Sequence, residues 1–515
     1  MAQNVQPDRT AGGYTLCGAV NEDVLKFQTV FNKCADIHYR NVEMNGGKKG
    51  ALIFLCGLVD IKSVDLNIMR QLTECRDDFL EQPGPFTADM KTKIQNQLIY
   101  ASQAGWVGTF DETVEHILAG DVALLLDGLP EVLVIHERHW EKRSIEEPAT
   151  EAVIRGPREG FQESLGTNIS LIRRRLKTPS LKMEEVKVGR LSNTEIAIVY
   201  LEGIADKALV REVKERIGRI KIDAILESGY IEELIEDHAL SPFPQVLVTE
   251  RPDRVVGNLL EGKVAIIIDN TPFVLLVPGT FFELLQSPED YYQRYFIASS
   301  IRMLRLLAVI SSLLLPSLYI ALTTFHHEMI PTMLLISIAS ARETVPFPAF
   351  VEALLMEVAF EGLREAGVRL PRPVGQAVSI VGALVIGQAA VAAGIVSSPL
   401  VIIVSMTGIA SFIFPSFQLG LAFRLLRFPM MIAAAALGLY GILMLLLMLL
   451  LHMLHLRSFG VPYMTPLAPL RMEELQDVII RANWPNMMKH IADTKEKRSG
   501  RISNPFALHR QRSQK

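Results

Sequence analysis

The sequence predicts an α/β (or α+β) soluble N-terminal head of two related subdomains, followed by an all-α multi-pass membrane domain. Three observations carry this reading. Short apolar runs that suit strands alternate with helical periodicity up to about residue 295. One stretch of the head occurs twice. From residue 296 the composition turns apolar, in runs long enough to need a bilayer. The boundaries that follow are a disordered lead (1–20), two soluble subdomains (21–143 and 144–295), a membrane domain (296–460) and a polar tail (461–515). The membrane domain is expected to hold four or five helices plus a short amphipathic helix at 347–366.

In the first subdomain, helical spacing runs through Val24, Phe27, Val30 and Phe31. Gly50–Asp60, an apolar run ending in an acid, suits a buried strand that gives way to a helix through Leu72. The repeat comes next. Val114–Ile135 aligns without gaps to Val256–Val277, and Asp111 matches Asp253. Each copy reads as helix, glycine stop (Gly120, Gly262), strand, turn and strand. Asp127-Gly128 and Asp269-Asn270 are hairpin signals, and Asp111 and Asp253 are placed to cap their helices. Between the copies, Phe161–Leu176 has helical spacing. Its Arg173, Arg174 and Arg175 could hold an acidic partner or lipid headgroups, against the plainer reading of a solvated face. Glu195–Asp206 reads as a strand, Asp206–Ile220 as a helix, and SGYIEELIED as a further short helix.

In the membrane domain, Arg302 and Arg305 precede an apolar run from Leu306 to Phe325. By the positive-inside rule they keep the head in the cytoplasm. Met329–Ala339 is too short to span comfortably. Val374–Val396 is a second span, and its Gly382, Gly387 and Gly394 suit close helix packing in lipid. Leu400–Phe414 follows, broken at Pro415, and Pro429–Leu456 reads as a lipid-facing helix. Between the first spans lies a helix bounded by Pro346 and Pro348 and by Gly367, Pro371 and Pro373. It carries Glu352, Glu357, Glu361 and Glu365 at membrane depth. Ionisable groups persist there only when they pair or face water. At about 100° per residue, Glu357, Glu361 and Arg364 share a narrow arc, with Glu352 roughly opposite.

The net charge of −4 disfavours nucleic acid as a partner. The polar N-terminus carries no apolar signal segment, so no cleaved signal is expected. Cys17, Cys34, Cys56 and Cys75 lack metal or disulfide spacing and read as reduced thiols. Glu261-Gly262-Lys263-Val264 lacks the flanking Gly and Ser/Thr of a phosphate loop, and there is neither GxGxxG nor GxSxG. His326-His327-Glu328 reads as a polar loop. The sequence therefore predicts no enzyme, no cofactor and no metal site.

Five segments, namely 164–181, 233–255, 271–295, 341–373 and 385–405, together resemble the A subunit of spore germinant receptors. The similarity runs from about Ile145 to Pro462, with the motifs in order. It implies a protein of the spore inner membrane, with its head facing the cytoplasm or spore core. It also implies a transporter-like B subunit and a lipoprotein C subunit as partners. Homo-oligomers, as a pentameric ring, would form a nutrient-gated channel for monovalent cations. By motif, the acidic helix would line the pore, with Glu352, Met356, Glu357, Val358 and Glu361 as candidates. Glu352 and Glu357 cannot both face one narrow pore from a regular helix, so one is expected to pair with Arg342, Arg364 or a neighbouring helix. The competing readings are a secondary transporter with its site near Gln376 and Gln388, a non-conducting scaffold, and an accessory paralogue of the dipicolinate-release system. The absence of a repeat in the membrane half counts against a transporter.

Overall fold

The computed structural model describes residues 14–44, 48–74, 88–99, 103–138, 147–148, 150–369, 385, 387–471 and 477–482. Gly382, Cys75, Gln376 and most of the expected span 374–396 lie outside them.

The head is built on two five-stranded antiparallel sheets. The first contains β1 (Ile37–Glu43), β2 (Lys49–Leu55), β3 (Ala104–Val107), β4 (Val122–Leu126) and β5 (Val132–Ile135), in the order β1-β2-β4-β5-β3. The second contains β6 (Leu181–Val188), β7 (Thr194–Leu201), β8 (Leu247–Thr249), β9 (Val264–Ile268) and β10 (Val274–Val277), in the order β6-β7-β9-β10-β8. The orders match strand for strand, so the short repeat seen in the sequence is part of a repeat of the whole subdomain. Antiparallel pairing with helices between strands makes each subdomain α+β.

β4 and β9 are buried along their whole length. In the first sheet the alternation survives inside these apolar runs. Leu52, Phe54, Val122 and Leu124 enter one core, whereas Ala51, Ile53, Ala123 and Leu125 enter the other.

Both hairpin turns do the same second task. The Asp127 carboxylate accepts from the N–H of Val20 at 3.3 Å, and Asp269 accepts from Leu165 at 3.0 Å. Val20 and Leu165 open the helices Val20–Val30 and Leu165–Arg175, so each turn supplies a partner for an otherwise orphaned helical N–H. Gly128 and Asn270 follow with φ of 92° and 69°, the left-handed region where glycine and asparagine are tolerated best. Asp111 and Asp253 are not caps. Extended Thr109 caps the helix Phe110–Leu118 through Glu112 N–H at 3.4 Å, and Pro252 opens the other helix. Both acids sit inside the first turn, where they favour the helix dipole.

In the membrane half, Tyr295–Thr324 and Phe417–His455 are long and apolar enough to cross a bilayer. Shorter helices span Thr332–Arg342, Ala349–Arg369 and Ser398–Phe412. The sequence reading of Pro429–Leu456 as one helix changes here. Phe417–His455 is a hairpin of two arms, 417–437 and 439–455, reversed at Gly438 (φ 63°, ψ −141°). The arms close so tightly that a Cβ on Gly441 would stand 2.1 Å from the carbonyl oxygen of Ala433. The tip meets Phe325 and His326, at the far end of the first long helix. Both feet rest on the head. The Phe243 ring lies 5.9 Å from Phe423 and 6.1 Å from His452, and His452 Nε2 is 2.9 Å from Ser241 Oγ.

The end of the expected membrane domain and the start of the expected polar tail fold back as well. Ser458 Oγ donates to Gln245 O at 2.6 Å, and Phe281 N–H donates to Tyr463 O at 2.9 Å. Buried Tyr463 and Met464 belong to the core shared by the second subdomain and the membrane helices.

Candidate functional site in the membrane helices

The acidic helix Ala349–Arg369 presents one side to its neighbours. Ala349, Glu352, Ala353, Met356 and Glu357 are buried. Two carboxylates in that face need partners, and the chain brings arginines to both. Arg342 Nε donates to Glu352 at 3.2 Å, and the backbone N–H and hydroxyl of Ser397 donate to its other oxygen at 3.1 and 2.9 Å. Tyr319 OH stands 3.2 Å from Ser397 Oγ, tying the first long helix to the same cluster. Lower down, Arg427 of the hairpin donates to Glu357 through Nη1 and to Ser312 O through Nε at 2.9 Å. Arg424, on the same arm, meets Glu361 at 3.0 Å. Arg364 donates to Ser411 Oγ at 2.5 Å and lies 4.3 Å from the Phe412 ring centroid. At about 1.5 Å rise per residue, Glu352, Glu357 and Glu361 form a ladder about 13 Å long.

Among the described residues nothing covers the opposite side. Leu355 is 46% and Val358 56% exposed, and Gly362 and Glu365 continue the ridge at helical spacing. Of the residues singled out from the sequence, Val358 therefore lies on the open ridge and Glu361 is half-buried beside it. Glu352, Met356 and Glu357 point into the subunit. The expectation that one of Glu352 and Glu357 is paired becomes a finding that both are. Their angular separation is real, but neighbouring helices wrap the acidic helix widely enough to reach both.

The glycines divide differently from the sequence reading. Among the described residues a Cβ on Gly387 would touch Val401 alone, at an ordinary 3.5 Å, and Gly394 is a turn residue with φ 65°. Gly408, missed in the sequence, makes the close approach: a Cβ there would stand 2.5 Å from the Phe360 ring.

The basic cluster 173–175 is an internal joint. Arg173 is 1% exposed and grips Asp36 of the first subdomain through Nε at 2.8 Å and Nη2 at 2.9 Å. Arg174 and Arg175 both reach Glu159. Arg302 and Arg305, read from sequence as a charged flank, are buried on Asp290, and Arg302 also meets Asp477 at 2.8 Å. They join the head, the first long helix and the returning C-terminal segment.

A second joint lies at the foot of the hairpin, where Gln418 Nε2 donates to Glu232 Oε2 at 2.9 Å. Burial pushes the Glu232 carboxyl up to about 7; Gln418 opposes the shift, whereas Glu236 and Glu227 add to it. A folded-state value above the unfolded 4.5 means that the native chain keeps a proton that the unfolded chain releases. The stabilisation is complete below about pH 4.5 and is lost as pH rises through about 7. The stability of the detergent-solubilised chain, followed by its thermal midpoint, is therefore expected to fall from pH 5 to pH 8, by an amount of order 1–3 kcal/mol. Glu232→Gln should flatten that fall. An unchanged slope in the variant would contradict the assignment.

A profile described as Bacillus/Clostridium GerA spore germination protein matches residues 25–492. Spore germination protein KA of Bacillus subtilis (strain 168) is 50% identical over 434 residues, covering 84% of this chain and 78% of the relative. Spore germination protein A1 of the same organism is 44% identical over 426 residues, covering 83% and 88%. The uncharacterized membrane protein YfkQ, also from that strain, is 46% identical over 456 residues, covering 88% and 87%. Among solved structures, the N-terminal domain of the A subunit of the Bacillus megaterium spore germinant receptor GerK3 matches at 30% identity with a TM-score of 0.41, over 52% of this chain and 98% of that one. With a profile match across nearly all of its length, the chain belongs to the GerA family of spore germination proteins.

Proposed function

We propose that the chain is the A subunit of a nutrient receptor in the inner membrane of endospores, acting with a transporter-like B subunit and a lipoprotein C subunit. Copies of it assemble into a pentameric ring, and their acidic helices surround a path for monovalent cations that opens when nutrient is sensed. The observation that carries this reading is the asymmetry of the acidic helix. Its inward carboxylates are paired with arginines, while the ridge of Leu355, Val358 and Gly362 stays exposed among the described residues. In a ring, that ridge is available to face an axis. Val358 then forms an apolar constriction, with the carboxylate of Glu361, held by Arg424, beside it. Glu352 and Glu357 hold the helix in register from behind. The return of residues 456–471 to the head supports an even number of crossings, four in preference to five, with the C-terminus on the head's side.

Because the paired carboxylates also suit a scaffold that conducts nothing, the test must separate the two. Val358→Ala, which widens the constriction, is expected to release potassium from dormant spores before nutrient is added, with the chain at its normal level by immunoblot. Unchanged potassium release at normal protein level would remove Val358 from a conducting path and favour the scaffold.

A further inference from the structure

The first subdomain holds a donor set that the ion path does not use. Gly120, with φ 92°, ends the helix Phe110–Leu118 and turns the chain into β4. This puts Asp121 beside His116 of the last helical turn. β5 runs antiparallel to β4 and delivers His136 to the same point. His116 Nδ1 lies 2.8 Å from Asp121 Oδ2, and His136 Nδ1 lies 2.9 Å from Oδ1. One donor atom from each residue falls within 4.8 Å of the others. Asp121 is fully buried, whereas the two imidazoles are 34% and 33% exposed, so the set opens to solvent on one side.

The fold does not need this set. The second subdomain builds the same helix, glycine stop and strand pair with Asn258, Lys263 and Pro278 at the matching positions. There Lys263 pairs with Glu283, just as Arg138 pairs with Asp121 in the first copy. An ion pair at this corner is thus common to both copies, and the two histidines are particular to one.

We propose that His116, Asp121 and His136 form a zinc site, with solvent at the fourth position. Two imidazoles and one carboxylate are a donor set that zinc takes in open, tetrahedral sites. Each ring would coordinate through Nδ1, with its proton on Nε2. Arg138 grips both Asp121 oxygens, through Nε at 2.5 Å and Nη2 at 2.8 Å. It must yield one oxygen to the metal and keep the other, which then orients the carboxylate from behind.

The test uses the untagged full chain in detergent, stripped with a chelator and titrated with zinc chloride by calorimetry. Cobalt(II) replaces zinc in a parallel titration to report tetrahedral geometry in its visible spectrum. One equivalent should bind, and His116→Asn and His136→Gln should each weaken binding by at least about 10-fold. Asn is the residue the second copy carries at the first of these positions, so the fold tolerates it. Equal thermal midpoints of metal-free wild type and variants would assign the loss to the donors. Absence of saturable binding by the wild type, or equal affinity in both folded variants, would overturn the proposal.

Discussion

Glu357→Gln is expected to lower the amount of folded chain sharply. Arg427 is 1% exposed, its Nη2 has no hydrogen-bond partner, and Glu357 is the only carboxylate it meets among the described residues. Removing that charge leaves a buried guanidinium uncompensated, which costs about 3–5 kcal/mol. Against a total stability of roughly 5–15 kcal/mol, such a loss depletes the native state. The double variant Glu357→Leu, Arg427→Met removes both charges at similar volume and should recover much of the protein, because a buried pair is often replaceable by apolar residues. Glu361→Gln is a control. Its partner Arg424 is less deeply buried than Arg427, and with side chains 14% and 27% exposed the pair stays in reach of water, so the loss should be smaller than for Glu357→Gln. Immunoblots of the three variants check the series. Normal accumulation of Glu357→Gln would mean that the carboxylate is not needed behind the helix and is free for another role.

Gly441→Ala should be as damaging, for a steric reason. The Cβ would lie 2.1 Å from the Ala433 carbonyl oxygen, a backbone atom that cannot step aside. Gly438→Ala adds strain of another kind. Its φ of 63° with ψ of −141° is a conformation that L side chains avoid, and the Cβ would stand 2.7 Å from the His326 ring. Either change should pry the arms apart and cost about 3 kcal/mol or more. Gly420→Ala is the neutral comparison, since its Cβ would meet Phe414 at an ordinary 3.5 Å. Thermal unfolding of the solubilised variants decides the matter. A wild-type midpoint in Gly441→Ala would show that the arms do not close at this point.

The features legible in advance were those written in local chemistry. Gly120, Gly262 and the Asp127 and Asp269 turns announced the repeat, and Asp206 marked the start of its helix, where it accepts from Ala208 N–H at 2.8 Å. β1 (IHYRNVE), β6 (LKMEEVKV) and the short edge strands β3 and β8 were missed. Their residues are partly polar or few, and their place is set by the neighbouring strand. The hairpin at Gly438 was hidden because a single glycine inside a run of Leu, Met and Ala does not interrupt the apolar pattern. The arginine ladder was harder still. Arg427 and Arg424 lie far along the chain from Glu357 and Glu361, and no spacing rule links them. A helical wheel shows which carboxylates share an arc, but it cannot show that a second helix reaches around to meet both sides.

The central claim is that the uncovered ridge of the acidic helix faces the axis of a ring of identical chains. The most direct measurement is a structure of the purified oligomer in lipid, read for subunit number and for the side chains nearest the symmetry axis. A closed ring with Val358 nearest the axis and Arg427 still on Glu357 is the predicted result. A single copy, or a ring with Val358 turned to lipid and another helix at the axis, would contradict it.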